Sequence, residues 1–136
     1  MKDWLLLTIL TLLAWGFWAF LPKIAIRYID PYSAMVYQAL GGILVGFGVL
    51  IFMKFKVQFN IPGFSYGLAV GLLGFIGAFL YLLAVSKGPL SLVAPIAAMY
   101  PIFAILLSLI FLNEAVSPRQ GVGIALSVVA MYLIST

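Results

Sequence analysis

The chain has 136 residues, 66% hydrophobic and 7% charged, where soluble domains hold about 45–50% apolar and about 25% charged residues. Seven Lys/Arg against three Asp/Glu give a formal net charge of +4, and so few charged side chains cannot cover the exterior of a water-soluble protein of this length. A soluble fold is excluded, and lipid is the implied solvent.

The charged positions divide the sequence into five apolar stretches, each near the length of about 20 residues that a membrane-crossing helix needs. The first runs from Trp4 to Leu21 (4–21) and is expected to stop at Pro22-Lys23, where a proline and a charge oppose further burial. No small-residue cleavage site follows it, so it is expected to be retained. The second covers Tyr32 to Met53 (32–53), after Asp30-Pro31, and halts at Lys54 and Lys56. The third covers Phe64 to Val85 (64–85), entered through the turn pair Pro62-Gly63 and left through Lys87-Gly88-Pro89. The fourth, Leu90 to Leu112 (90–112), contains Pro95 and Pro101, which remove backbone donors and predict bends. The fifth, 120–135, follows Ser117-Pro118-Arg119-Gln120, a capping box with Ser117 as N-cap, Pro118 at the first helical position and Gln120 at the third. The expected fold is an all-α membrane protein, a bundle of five transmembrane helices in one domain over residues 1–136.

Small residues at intervals of three or four let helices approach closely in lipid. Gly67, Gly71, Gly74 and Ala78 share one face of the third helix and lead to Tyr81, and Gly42 and Gly46 share a face of the second with Gln38. These glycines predict helix packing. Thr8, Thr11, Trp15 and Trp18 line one stripe of the first helix. Trp15 lies inside the span rather than in an interfacial belt, which suits packing and ligand contact equally. No span holds a buried acid or base, and Gln38 is the strongest polar residue within a span.

Chemistry is largely excluded. With no His and no Cys, thiol chemistry, haem ligation by His and the usual zinc ligand sets are unavailable, so neither metal nor cofactor is expected. No nucleophile stands beside a base, so the chain is not expected to be an enzyme. The scattered basic residues read as membrane anchors rather than as a nucleic-acid surface.

A longer match lies in Ala84-Val85-Ser86-Lys87-Gly88-Pro89-Leu90-Ser91-Leu92-Val93-Ala94-Pro95-Ile96, then Tyr100-Pro101-Ile102-Phe103, Leu112-Asn113-Glu114 and Gln120-Gly121, with Ala14-Trp15-Gly16-Phe17 and Lys23 upstream. This text resembles an EamA domain of the drug/metabolite transporter superfamily. The resemblance implies a transporter, expected to be an exporter, that moves a small metabolite or drug-like molecule across the cytoplasmic (inner) membrane by alternating access. It also implies half of a ten-helix inverted-repeat architecture, since such proteins often carry two domains in tandem. Family members often have an Arg near the start of the second helix, where this chain reads Tyr37-Gln38, which argues against an anionic substrate. The acidic residue that related small multidrug exporters carry in their first helix is missing too, which disfavours proton-coupled export of lipophilic cations. A non-transporting membrane subunit or a lipid flippase component fits the same composition.

A lone five-helix unit needs an inverted partner. Lys2, Lys54, Lys56 and Arg119 fall on one side of the expected topology and Lys23, Arg27 and Lys87 on the other, a weak orientation bias. An antiparallel homodimer of dual topology is therefore expected, or pairing with a separate five-helix partner. Trp15, Gln38, Tyr81 and Pro95, one from each of four helices, are the candidate substrate-binding residues. Glu114 stands where the family has its typical Glu and is expected to be structural. Glu114→Ala should lower the folded yield before it alters substrate preference, and unchanged yield with lost transport would contradict this.

Overall fold

The computed structural model describes residues 3–113 and 115–135. All its regular structure is helical: α1 Asp3–Ala25, α2 Pro31–Phe52, α3 Ile61–Lys87, α4 Leu90–Ala97, α5 Tyr100–Phe111 and α6 Pro118–Ser135. Four stretches are long and apolar enough to cross a membrane, namely Trp4–Ala25, Pro31–Phe52, Ile61–Lys87 and Leu90–Phe111. The last is interrupted at Ala98-Met99, dividing it into α4 and α5. A shorter apolar helix, Pro118–Ile134, follows. The chain is thus an all-helical membrane protein with five helical stretches, the fourth of them broken. It separates into two compact units, Met1–Lys87 and Gly88–Thr136.

Helix ends depart from the sequence expectation where local hydrogen bonds outweigh proline. α1 does not stop at Leu21 but carries Pro22 inside the helix and continues to Ala25. Proline removes one donor and bends a helix without obliging it to end. α3 begins at Ile61, three residues before Phe64, because Pro62 and Gly63 form its first turn rather than a turn before it. Asn60 starts this helix: its backbone O accepts from Phe64 N at 2.9 Å and its Oδ1 from Gly63 N at 2.8 Å. Proline costs no hydrogen bond in a first turn, where the N–H groups lack partners anyway.

Asp30 caps α2 in the same manner, its Oδ1 accepting from Tyr32 N at 2.9 Å and Ser33 N at 3.0 Å, while the Ser33 hydroxyl donates to Oδ2. At the other end of α2, Lys54 N donates to Ile51 O and Phe55 N to Leu50 O, both at 2.9 Å, the paired bonds of a Schellman motif. Lys54 and Phe55 take φ of 53° and 58° to make them, a region that glycine usually supplies. Asn113, with φ of 52°, follows α5 in the same conformation, which Asn tolerates better than most residues. The capping box of α6 is formed: Ser117 N and Oγ both donate to Gln120 Oε1, at 2.8 and 2.9 Å, and Gln120 N donates to Ser117 Oγ at 3.3 Å.

In the first unit α3 packs against both α1 and α2. The buried residues, Pro22, Ala34, Ala78, Tyr81, Leu82 and Val85, come from the last turns of α1, the first turn of α2 and the last turns of α3. Tyr32 and Phe79 meet across α2 and α3 at 5.4 Å between ring centroids. Further along, Gly42 of α2 lies under Phe75 of α3, whose Cζ would stand 2.9 Å from an added Cβ. No neighbouring atom lies within 4 Å of the corresponding point at Gly46, Gly67, Gly71 or Gly74. In the second unit α4 packs against α6.

The Asp30 cap has a pH signature. Hydrogen bonds from the Ser33 hydroxyl, then from the Ser33 N–H, hold the Asp30 carboxyl below the ordinary carboxylate range. A carboxyl whose pKa is lowered by folding stabilises fully above its unfolded value, about 3.9, and loses that contribution as pH falls through the folded value. The thermal midpoint of the detergent-solubilised protein should drop across that acid window, and Asp30→Asn, which still caps, should make the drop shallower. Identical pH profiles would contradict the role of Asp30.

Candidate functional site

Prolines decide which backbone groups in these helices need outside partners. Within a helix a carbonyl accepts from the N–H four residues on, so Val85 O faces Pro89, which has none to give. The Lys23 ammonium supplies the missing donor, reaching from α1 to Val85 O. A cation at the last turn of α3 also meets the negative end of the helix dipole. Val85 itself is 0% exposed, and in such a place an unpaired carbonyl costs about 1–3 kcal/mol.

A turn earlier, the Tyr81 hydroxyl donates to Ala19 O at 2.8 Å. Ala19 stands three residues before Pro22, in the turn that the proline opens. The Tyr81 ring stacks on Trp18 with 5.3 Å between centroids and 28° between planes. Tyr81 is only 7% exposed, so its ring and its hydroxyl both serve the α1–α3 contact.

The other candidates lie differently. Trp15 is 55% exposed on α1. Thr8 and Thr11, on the same stripe, donate to their own helix at Trp4 O and Leu7 O, 2.8 and 2.9 Å away. Gln38 is half-buried on α2. Because α1 runs on to Ala25, Trp15 lies ten residues before its end, while Gln38 lies seven after the start of α2. Pro95 belongs to the second unit, where it lines a cleft formed by α4, α5 and α6. Glu114 lies outside the described residues.

The sequence placed Trp18 on the stripe of Trp15 and Lys23 beyond the first span but marked neither as a site residue, and it did not identify the Ala19 and Val85 carbonyls that Tyr81 and Lys23 reach. Two signals were available: Trp18 shares the stripe of Trp15, and Pro89 stands four residues after Val85. Which carbonyl a lysine reaches 62 residues away is decided by packing.

Helices of this length and apolarity, with few polar groups in their spans, define a multi-pass membrane protein. The model of the EamA-like transporter family matches residues 2–136, and the chain belongs to that family, whose members are membrane transporters of small solutes. An uncharacterized protein of Methanocaldococcus jannaschii is 27% identical over 137 residues, covering 99% of this chain and 98% of that protein. No solved structure matches the chain.

The two bonds between α1 and α3 predict separable defects. Tyr81→Phe keeps the ring stack but removes the hydroxyl bond to Ala19 O, and should cost about 0.5–1.5 kcal/mol of stability. Lys23→Met should lower the thermal midpoint of the protein in nanodiscs as well. If both variants melt as the parent does, these bonds do not hold α1 to α3.

Proposed function

We propose that this protein exports a small metabolite or drug-like molecule across the cytoplasmic membrane by alternating access, acting as one five-span domain over residues 1–136. The family match across residues 2–136 carries this reading. The broken fourth span supports it, since discontinuous helices form substrate sites in many transporters. Trp15, Gln38 and Tyr81 of the first unit and Pro95 of the second contact the substrate in this reading, and Tyr81 contributes through the aromatic wall that it builds with Trp18. Neutral hydrogen-bonding groups among aromatic rings suit a neutral, zwitterionic or amphipathic molecule. No metal or cofactor takes part, and the chain performs no covalent chemistry.

An odd number of spans requires an inverted partner to complete the pseudo-symmetric site of such transporters. A second copy inserted in the opposite orientation meets that need, and the open faces at Gly46, Gly67, Gly71 and Gly74 leave room for a neighbouring helix. The weak charge bias between the two sides allows both insertions. A separate five-helix protein is the alternative partner.

Proteoliposomes holding the purified protein, offered a panel of radiolabelled amino acids, nucleobases and amphipathic amines, should show counterflow of at least one compound. Gln38→Leu and Trp15→Ala should lose substrate affinity while remaining monodisperse. Normal kinetics in both variants would remove these residues from the site. C-terminal reporters should detect both orientations at native expression, and a single orientation would replace the antiparallel homodimer by a parallel one or by a different partner.

A further inference from the structure

The turn between α2 and α3 alternates in character from one residue to the next. Polar residues at 54, 56, 58 and 60 alternate with apolar ones at 53, 55, 57, 59 and 61. Residues 56–60 form no helix, and a period of two puts the two sets on opposite sides wherever the chain is extended. Two ring contacts fix where the apolar set goes. Phe55 meets Phe47 edge-on with 6.4 Å between centroids, and Phe59 meets Phe64 at 5.8 Å. Phe47 stands five residues before the end of α2, about 8 Å inside the span, and Phe64 lies in the first turn of α3. Both rings of the turn therefore fold back toward the hydrocarbon, and both remain exposed there.

The lysines of the polar set are placed differently. Lys54 and Lys56 are exposed, and no Asp or Glu occurs from residue 31 to residue 113, so α2, the turn and α3 hold no carboxylate to pair with them. At the other end of α2, by contrast, Arg27 has Asp30 three residues away. Glycine would make the left-handed turn at 54 and 55 with less strain, yet the chain keeps an ammonium and a ring at these positions. The N–H groups of Lys54, Phe55 and Lys56 donate to Ile51 O, Leu50 O and Met53 O. An anion at this turn thus meets ammonium groups rather than a backbone cradle.

We propose that the α2–α3 turn binds acidic phospholipid: Lys54 and Lys56 hold the headgroup phosphodiester, and Phe55, Val57 and Phe59 lie among the first methylenes of the acyl chains. Each ammonium offers a full charge and up to three donors to a phosphate. A zwitterionic headgroup brings its own cation against them and is held less well. The exposed rings favour a lipid over a water-soluble phosphate, which would leave them without a role. This binding does not depend on which solute the protein moves.

The test titrates the full chain in detergent with phosphatidylglycerol or phosphatidylcholine of identical acyl chains, read by native mass spectrometry. Phosphatidylglycerol should bind about 25-fold more tightly, about fivefold for each lysine. Lys54→Gln combined with Lys56→Gln should abolish the preference, while Lys54→Arg combined with Lys56→Arg should keep it. Arg27→Gln combined with Lys87→Gln, at the other ends of the helices, should keep it as well. Equal binding of the two lipids by the parent would overturn the proposal. A preference that survives in monodisperse Lys54→Gln, Lys56→Gln protein would overturn the assignment to this turn. sn-Glycerol 3-phosphate should not displace the lipid, and displacement would make this a site for soluble phosphates instead. A measurement on the parent alone covers a variant that fails to fold. Phosphatidylglycerol with a photoreactive headgroup should mark residues 53–60, and marking confined to residues 23–31 or 86–90 would overturn the proposal.

Discussion

Hydrocarbon offers a backbone carbonyl no hydrogen bond, so every donor that a proline removes from a membrane helix has to be replaced or its carbonyl exposed to a cavity. Pro22 and Pro95 each remove one from inside a helix, and Pro89 leaves none for Val85 O. The chain answers in different ways. Val85 O, orphaned by Pro89, receives the ammonium of Lys23. The turn opened by Pro22 is met by the hydroxyl of Tyr81 at Ala19 O. Just before Pro101 the span breaks, and the residues of the break line a cleft.

These answers divide the molecule by mechanical character. In the first unit, side chains of α1 and α3 are bonded to the backbone of the opposite helix, and a Trp18–Tyr81 stack lies between the bonds. Water exclusion does not drive helices together in lipid, so directional bonds and close packing carry that role. Gly42 under Phe75 is one such close contact. In the second unit, the break between α4 and α5 replaces a rigid rod with two short helices. A transporter needs both kinds of element: parts that move as bodies, and interrupted helices whose free backbone groups can hold a ligand.

Caps show how a short apolar chain fixes its helix ends without charges to spare. Asp30, Asn60 and Ser117 each supply a side-chain oxygen to the first turn of a helix. At the C-terminal ends, Lys54 and Asn113 take the left-handed conformation that glycine would adopt more easily. The bilayer does not favour one exit of a span over another by polarity alone. Local geometry therefore sets where the chain turns.

The solvent, the helical class, the family and the number of apolar stretches could all be read from the residues in order. Each follows from composition and from motifs whose residues lie close together along the chain. The same locality made the α6 capping box and the interruption near Pro95 and Pro101 legible. It misplaced the end of α1 and the start of α3, since a proline inside a helix and one in its first turn look alike until the neighbouring hydrogen bonds are known. Helix packing alone sends the Tyr81 hydroxyl to Ala19 O and the Lys23 ammonium to Val85 O. Both are contacts between residues 62 apart, and no local pattern of side chains encodes which distant carbonyl a side chain will reach.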